Sequence, residues 1–245
     1  MFKDINSGYY FSKPEGLYAA TYDELEAVCG KYNIVSSAMG CRSKLDYPIK
    51  ETNSKTIELC KGSGGSNVPV LHLLPPAYEK ECYSKEELRT LVEQEHALFR
   101  VFPVSDGCCF TEWVYDWMLD ILEESDTPVL ASLEEIDLRD AAAVLQAHPR
   151  LPLILTNSTQ WMNRQYMRFL QAFDNAFIDT SNIIEYYGIE NLVKIIGAGK
   201  VLFGTNMPDK EPYDKLFQIM RSEISQEERD LIAFGNYERL VERVA

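Results

Sequence analysis

Short runs of β-branched, aromatic and aliphatic residues alternate along this chain with longer stretches whose apolar positions recur at helical spacing. The short runs fall near Phe2–Asn6, Ile34–Ala38, Val68–Leu73, Ala97–Phe102, Val129–Ser132, Leu153–Asn157, Ala176–Thr180 and Val201–Gly204. Such alternation predicts parallel strands covered by helices. Helix starts are marked by capping residues followed by early acids: Thr21 before Asp23-Glu24, Ser84 before Glu86-Glu87, and Thr111 before Glu112. Ser225-Gln226-Glu227-Glu228 has the spacing of a capping box. The glycine-rich stretch Gly62-Ser63-Gly64-Gly65-Ser66 reads as a loop within one domain, because the same alternation resumes after it. Eight strand–helix pairs in 245 residues predict an α/β fold, a closed (β/α)8 TIM barrel spanning 1–245 as a single compact domain, over an open doubly wound sheet.

Composition narrows the class. Apolar residues make up 46% of the chain, enough for a full core, and no run approaches the roughly 18 apolar residues of a membrane helix. Met1 leads into Phe2-Lys3-Asp4 with no apolar signal stretch, and the six cysteines form no C-x-x-C, so a soluble, cytoplasmic, reduced protein is expected. The net charge of −14, with no basic cluster, disfavours nucleic acid and anionic membrane as partners. The acidic pairs Glu86-Glu87, Glu123-Glu124 and Glu227-Glu228 fall on helices and read as a solvated outer face.

A barrel gives its site an address, because pockets in this architecture form from the loops at the C-terminal ends of the strands. That places Asn6-Ser7-Gly8, Ser36-Ser37, His72, Arg100, Ser132-Leu133-Glu134, Asn157-Ser158, Asp179-Thr180-Ser181 and Asn206 around one mouth. Tyr9, Tyr10 and Phe11 are expected to stand over it, as a lid or as a contact with a second copy or partner.

Several segments resemble, in order, the amidohydrolase superfamily, in particular its amidohydrolase-related (amidohydrolase 2) branch. They are "PVLASLEE" (128–135), "HPRLPLILTNS" (148–158), "AFIDTSNI" (176–183), "KVLFGTNMP" (200–208) and "ISQEERDLIAFGNYERLV" (224–241). Earlier, "FKDINSG" (2–8), "VPVLHLLPP" (68–76) and "LFRVFP" (98–103) resemble the first, third and fourth strands of that family. The resemblance implies a divalent metal, often zinc, at the strand ends and a water activated by the metal and an aspartate. At the positions matching its ligands this chain carries Asn6 and Gly8 for the first-strand His-x-His pair, Ser132 on the fifth strand, Asn157 for the sixth-strand histidine and Asn206 for the eighth-strand aspartate. Zinc sites use thiolate, imidazole or carboxylate, and an amide has no protonation equilibrium near neutral pH, so loss of the metal and of its activated water is expected.

Of the three histidines, His96 and His148 precede strands at the opposite mouth, and His72 reads as a wall residue of its strand. Glu134, Glu135 and Asp209 reach the mouth from loops and favour at most a hard ion. Cys108-Cys109 sit on the pocket side as candidate nucleophiles, and Cys41 has Arg42 beside it to lower its pKa or to bind an anion. The first expectation is therefore a barrel without its ancestral metal, or any other cofactor, whose Asn6, Ser132, Asn157 and Asn206 hold a small polar molecule. A second is metal-independent hydrolysis of a small carboxylated lactone or ester, with Glu134, Asp179 or His72 as base and Arg42 or Arg100 orienting the carboxylate. A third is a binding or scaffold protein that assembles with itself or a partner.

Overall fold

The computed structural model describes residues 1–12, 14–43, 48–64, 66–78 and 81–242. Eight parallel strands lie in chain order: β1 (Phe2–Tyr9), β2 (Ile34–Cys41), β3 (Asn67–His72), β4 (Leu98–Val101), β5 (Val129–Ser132), β6 (Leu153–Thr156), β7 (Ala176–Asp179) and β8 (Val201–Leu202). The ring closes between the last strand and the first through Ile5 N–H to Phe203 O (2.9 Å), Asn206 N–H to Asn6 O (2.8 Å) and Gly8 N–H to Met207 O (2.9 Å). The fold is the (β/α)8 barrel that the alternation predicts.

Strand ends shift slightly from the sequence reading except at β1 and β2, which run three residues further, to Tyr9 and Cys41. Ser7-Gly8 looks like a turn, yet both residues pair with Met39 and Gly40 of β2, and tertiary pairing overrides local preference. Between the strands run α1 (Tyr22–Tyr32), α2 (Ile49–Gly62), α3 (Lys85–Glu95), α4 (Glu112–Tyr115), α5 (Trp117–Glu124), α6 (Leu138–Ala147), α7 (Asn163–Ala172), α8 (Gly188–Ile196), α9 (Tyr213–Arg221) and α10 (Gln226–Asp230). Full capping boxes form at Thr21/Glu24, Ser84/Glu87 and Ser225/Glu228, whereas Thr111 makes no side-chain cap bond. In the glycine-rich loop between α2 and β3, Gly65 lies outside the described residues. None of the described helices is long and apolar enough to cross a membrane, and all six cysteines are unpaired thiols.

The barrel interior is layered. One apolar residue from each strand, Ile5, Ala38, Val70, Leu98, Leu130, Ile154, Phe177 and Leu202, forms a single buried cluster, with Tyr237 and Val241 of the C-terminal segment joining it. A second, larger apolar cluster packs the outer strand faces against the helices. Since side chains alternate along a strand, the residues two positions further on form the next interior layer: Gly40, His72, Arg100, Ser132, Thr156 and Asp179. That layer is polar and stands at the C-terminal mouth. On β1 the register breaks between Asp4 and Ser7, so beyond Ile5 it is Asn6 that meets the interior layer.

Candidate functional site

Asn6 is the hub of the polar layer. Its Nδ2 donates to Asp179 Oδ2 at 2.7 Å and to Ser181 Oγ at 3.3 Å, while its Oδ1 accepts from Arg100 Nη2 at 2.8 Å and from Arg42 Nη2 at 3.0 Å. One amide thus joins a carboxylate to two guanidinium groups. Asp179 and Asn6 are fully buried, and Arg100 nearly so. Burial pushes the Asp179 carboxyl up to about 6, against the bonds from Asn6 and Ser181 that favour its charged form. Burial, reinforced by the charge of Arg42, pulls Arg100 down to about 9.

The backbone makes room for these groups. At Gly8 an added Cβ would lie 2.3 Å from Arg42 Nε and 2.6 Å from Gly40 O. At Gly204 it would lie 2.6 Å from Asp179 Oδ2. The Arg42 side chain therefore crosses the face of β1 where residue 8 would otherwise project.

Asp4, which the sequence reading passed over, ties the barrel seam. Its Oδ1 accepts from the backbone N–H of Asn6 (2.9 Å) and of Thr205 (3.1 Å), and its Oδ2 accepts from Thr205 Oγ1 at 2.5 Å. Burial pushes its carboxyl pKa up despite these bonds. A charged residue among the apolar positions of a first strand was the available signal. Asp106, on the loop after β4, pairs its Oδ2 with His72 Nε2 at 2.8 Å. His72, Arg100, Phe102, Asn53, Cys41 and Gly40 line a cavity of ≈ 20 Å³, about the room one water needs.

The structure brings Asn6, Arg42, Arg100 and Asp179 together, with His72 lining the adjoining cavity. Ser132 is buried and its Oγ accepts the Glu134 N–H at 3.2 Å, but the Glu134 residue itself is exposed. Glu135 is buried and fastens the loop after β4 through Ser105 N–H (2.9 Å) and Oγ (2.5 Å). Asn157 and Asn206 take left-handed backbone angles, φ 52° and 59°, which asparagine tolerates at strand ends. Their Oδ1 atoms are buried without a partner among the described residues, as are Ser158 Oγ, Arg42 Nε and Arg100 Nε.

Tyr9, Cys41 and Cys108 depart from expectation, whereas Tyr10, His96 and His148 do not. Tyr9 does not stand over the mouth: because β1 reaches it, alternation turns it outward, edge-on to Tyr22 of α1 and bonded to Thr56 of α2 at 3.0 Å. Tyr10 does stay at the rim, donating to Asp209 Oδ1 at 2.8 Å, and Phe11 packs edge-on against Tyr9. Burial pushes the Cys41 thiol up in spite of Arg42, and burial also raises Cys108, so neither is an activated nucleophile. His148 lies at the C-terminus of α6, bonded to Glu123 at 3.1 Å, and His96 caps α3, both away from the strand-end mouth.

The donor set does not fit a transition-metal site. Asn6 is saturated by its four bonds, Gly8 has no side chain, and Ser132, Asn157 and Asn206 offer neutral oxygens. Two guanidinium cations already face the centre. Among the described residues, no three His, Cys, Asp or Glu side chains gather as metal ligands would.

A closed β/α barrel with its polar layer at the strand ends defines the class, and the chain belongs within it to the amidohydrolase family, whose model matches residues 68–243. No curated protein matches the chain in sequence. Solved structures similar to it include 2,6-dihydroxybenzoate decarboxylase from Rhizobium, at 14% identity and TM-score 0.80, covering 99% of this chain and 98% of the other. A dihydroxybenzoic acid decarboxylase from Polaromonas with bound manganese and the inhibitor 2-nitroresorcinol is similar at 12% identity and TM-score 0.77 (100% and 98% covered). The 4-oxalomesaconate hydratase of Rhodopseudomonas palustris is similar at 16% identity and TM-score 0.72 (99% and 96% covered). At such identities these structures speak for the fold alone.

Proposed function

We propose that this protein is an amidohydrolase-fold member that works without a divalent metal and holds a small polar molecule, with an anionic end, at its strand-end layer. The observation that carries the reading is the convergence of Arg42 and Arg100 on Asn6 Oδ1, at 3.0 and 2.8 Å, in place of a ligand set. The unpaired Nε–H groups of both arginines supply donors for a carboxylate, and the unpaired oxygens of Asn157, Ser158 and Asn206 supply acceptors for its hydroxyls. The names of the similar enzymes specify carboxylated molecules, which agrees with that ligand class. The net charge of −14 supports a small molecule over nucleic acid or membrane. A second copy of the chain remains a candidate partner, and a cytoplasmic setting suits the free thiols.

Metal analysis of protein purified without added ions tests this directly: less than about 0.1 equivalent of any transition metal is expected, given the donor types. Near-stoichiometric zinc or manganese that survives dialysis against chelator would overturn it. Calorimetric titration with benzoate should show saturable binding that Arg100→Ala abolishes.

A second reading, hydrolysis of a small lactone or ester without metal, is favoured by Asp179. Its carboxyl titrates at about 6 and faces the layer that carries the arginines, so it can exchange a proton near neutral pH. Turnover in a lactone screen should vanish in Asp179→Asn; equal turnover in that variant counts against the assignment.

A further inference from the structure

The bare backbone at Gly8 and the path of Arg42 are one feature. A Cβ on Gly8 would meet Arg42 at Nε (2.3 Å) and Cδ (2.9 Å), and Gly40 O at 2.6 Å, all well inside contact distance, with the Arg42 side chain the nearest. Arg42 lies on the loop after β2, and its backbone N–H is pinned to Tyr9 O at 2.7 Å. Its Nη2 reaches Asn6 Oδ1 (3.0 Å) and Met207 O (3.4 Å) across the seam between β1 and β8. The side chain is thus stapled at both ends, and the path between them exists only because residue 8 lacks a side chain. No metal-binding side chain can stand at position 8 while Arg42 follows this path.

We propose that Arg42 is the resident cation of the strand-end site: threaded over Gly8, it takes the place in which a metal ligand at residue 8 would stand, so that this guanidinium and a divalent ion exclude one another. This rests on the metal-independent reading above and adds to it a cause. The missing ligands leave the site unable to grip an ion; Arg42 and Arg100 make it repel one, since charges of one sign a few ångströms apart repel strongly where water is partly excluded. The same pair makes the site attractive to oxyanions, and because the charge is covalently tethered the attraction does not depend on ion supply. Arg100, whose Nη2 shares the same acceptor, is the second half of the device.

The interlock is read by a double-mutant cycle on the whole protein, with thermal midpoints of the wild type, Gly8→Ala, Arg42→Ala and the double variant. Gly8→Ala alone should lower the midpoint by about 3–10 °C, as overpacking does in a chain of this size. In the Arg42→Ala background the same change still meets Gly40 O at 2.6 Å, so it should keep part of its cost but lower the midpoint by at least about 2 °C less than in the wild type. Failure of Gly8→Ala to fold, with recovery in the double variant, also supports the interlock. Equal cost in both backgrounds, or no cost in either, overturns it.

Exclusion of the ion is read separately with cobalt as the probe, by the absorption of its ligand-field bands. Asn6→His/Gly8→His/Asn206→Asp restores ligand types, and adding Arg42→Ala should tighten cobalt binding about tenfold or more. Equal affinity with and without Arg42 overturns the exclusion. Metal found in the wild-type protein would defeat the metal-independent reading itself, whereas an absent coupling between residues 8 and 42 defeats only this inference.

Discussion

An asparagine amide can make four hydrogen bonds, two as donor and two as acceptor, and Asn6 makes all four inside the barrel. Truncation would therefore strand several charges at once. Asn6→Ala is expected to cost about 3–5 kcal/mol, the cost of breaking a buried charge network from one side. Urea denaturation measures it, and a loss under about 1 kcal/mol would mean that the network relaxes without its hub. Asp179 carries a pH signature. Its carboxyl is pushed up to about 6 in the fold from the ordinary 3.8 of an aspartate, so the native state keeps a proton that the unfolded chain releases. Its contribution is undiminished below about 3.8, is lost as pH rises through about 6, and stays lost above, a difference on the order of 3 kcal/mol. Wild type minus Asp179→Asn stability should accordingly fall between pH 4 and 6.5 and be flat beyond. A difference that rises with pH would show that Arg100 and Asn6 outweigh burial. The sequence showed Asn6, Arg100 and Asp179 as strand-end residues. It did not show that they touch, because contact requires the register break between Asp4 and Ser7, which no residue pattern marks.

At the scale of elements, the eight strands were legible because each buried run is flanked by capping or turn residues. What stayed hidden was how far β1 and β2 extend, since each runs three residues beyond the expected end by pairing with the other, as Gly8 does with Gly40 and Tyr9 with Cys41. The fate of Tyr9 followed from the β1 boundary. Helix caps were read more faithfully, and they give a matched pair of tests. Thr21 accepts from Glu24 N–H in a full capping box, whereas Thr111 makes no such bond. Thr21→Ala should cost about 1 kcal/mol in urea denaturation and Thr111→Ala less than about 0.5. Equal costs would show that cap identity in the sequence, not the bond formed, sets the energy.

For the whole molecule, the sequence located the mouth, since a count of eight strand–helix units fixes where a barrel gathers its polar residues. It could not foretell how Arg42 fills that mouth, because the path of a loop side chain over Gly8 is a three-dimensional fact with no periodicity. The result is a molecule of two electrostatic scales: a local pair of cations, Arg100 buried and Arg42 half-buried, within a chain of net charge −14. An anionic ligand approaching the site feels the surface first. At about 0.01 M salt the screening length is roughly 30 Å, so the acidic exterior repels the ligand over its whole approach. At about 0.15 M it falls to roughly 8 Å, and the repulsion shrinks while the contacts at Arg42 and Arg100, shielded from solvent, change little. The association rate of benzoate should therefore rise with ionic strength over this range, the reverse of an ordinary exposed cation–anion pair. Stopped-flow measurements at constant pH, with salt anions that compete poorly with a carboxylate for guanidinium, would read it. A rate that falls steadily with salt would place the binding cation on the surface rather than among Asn6, Arg42 and Arg100.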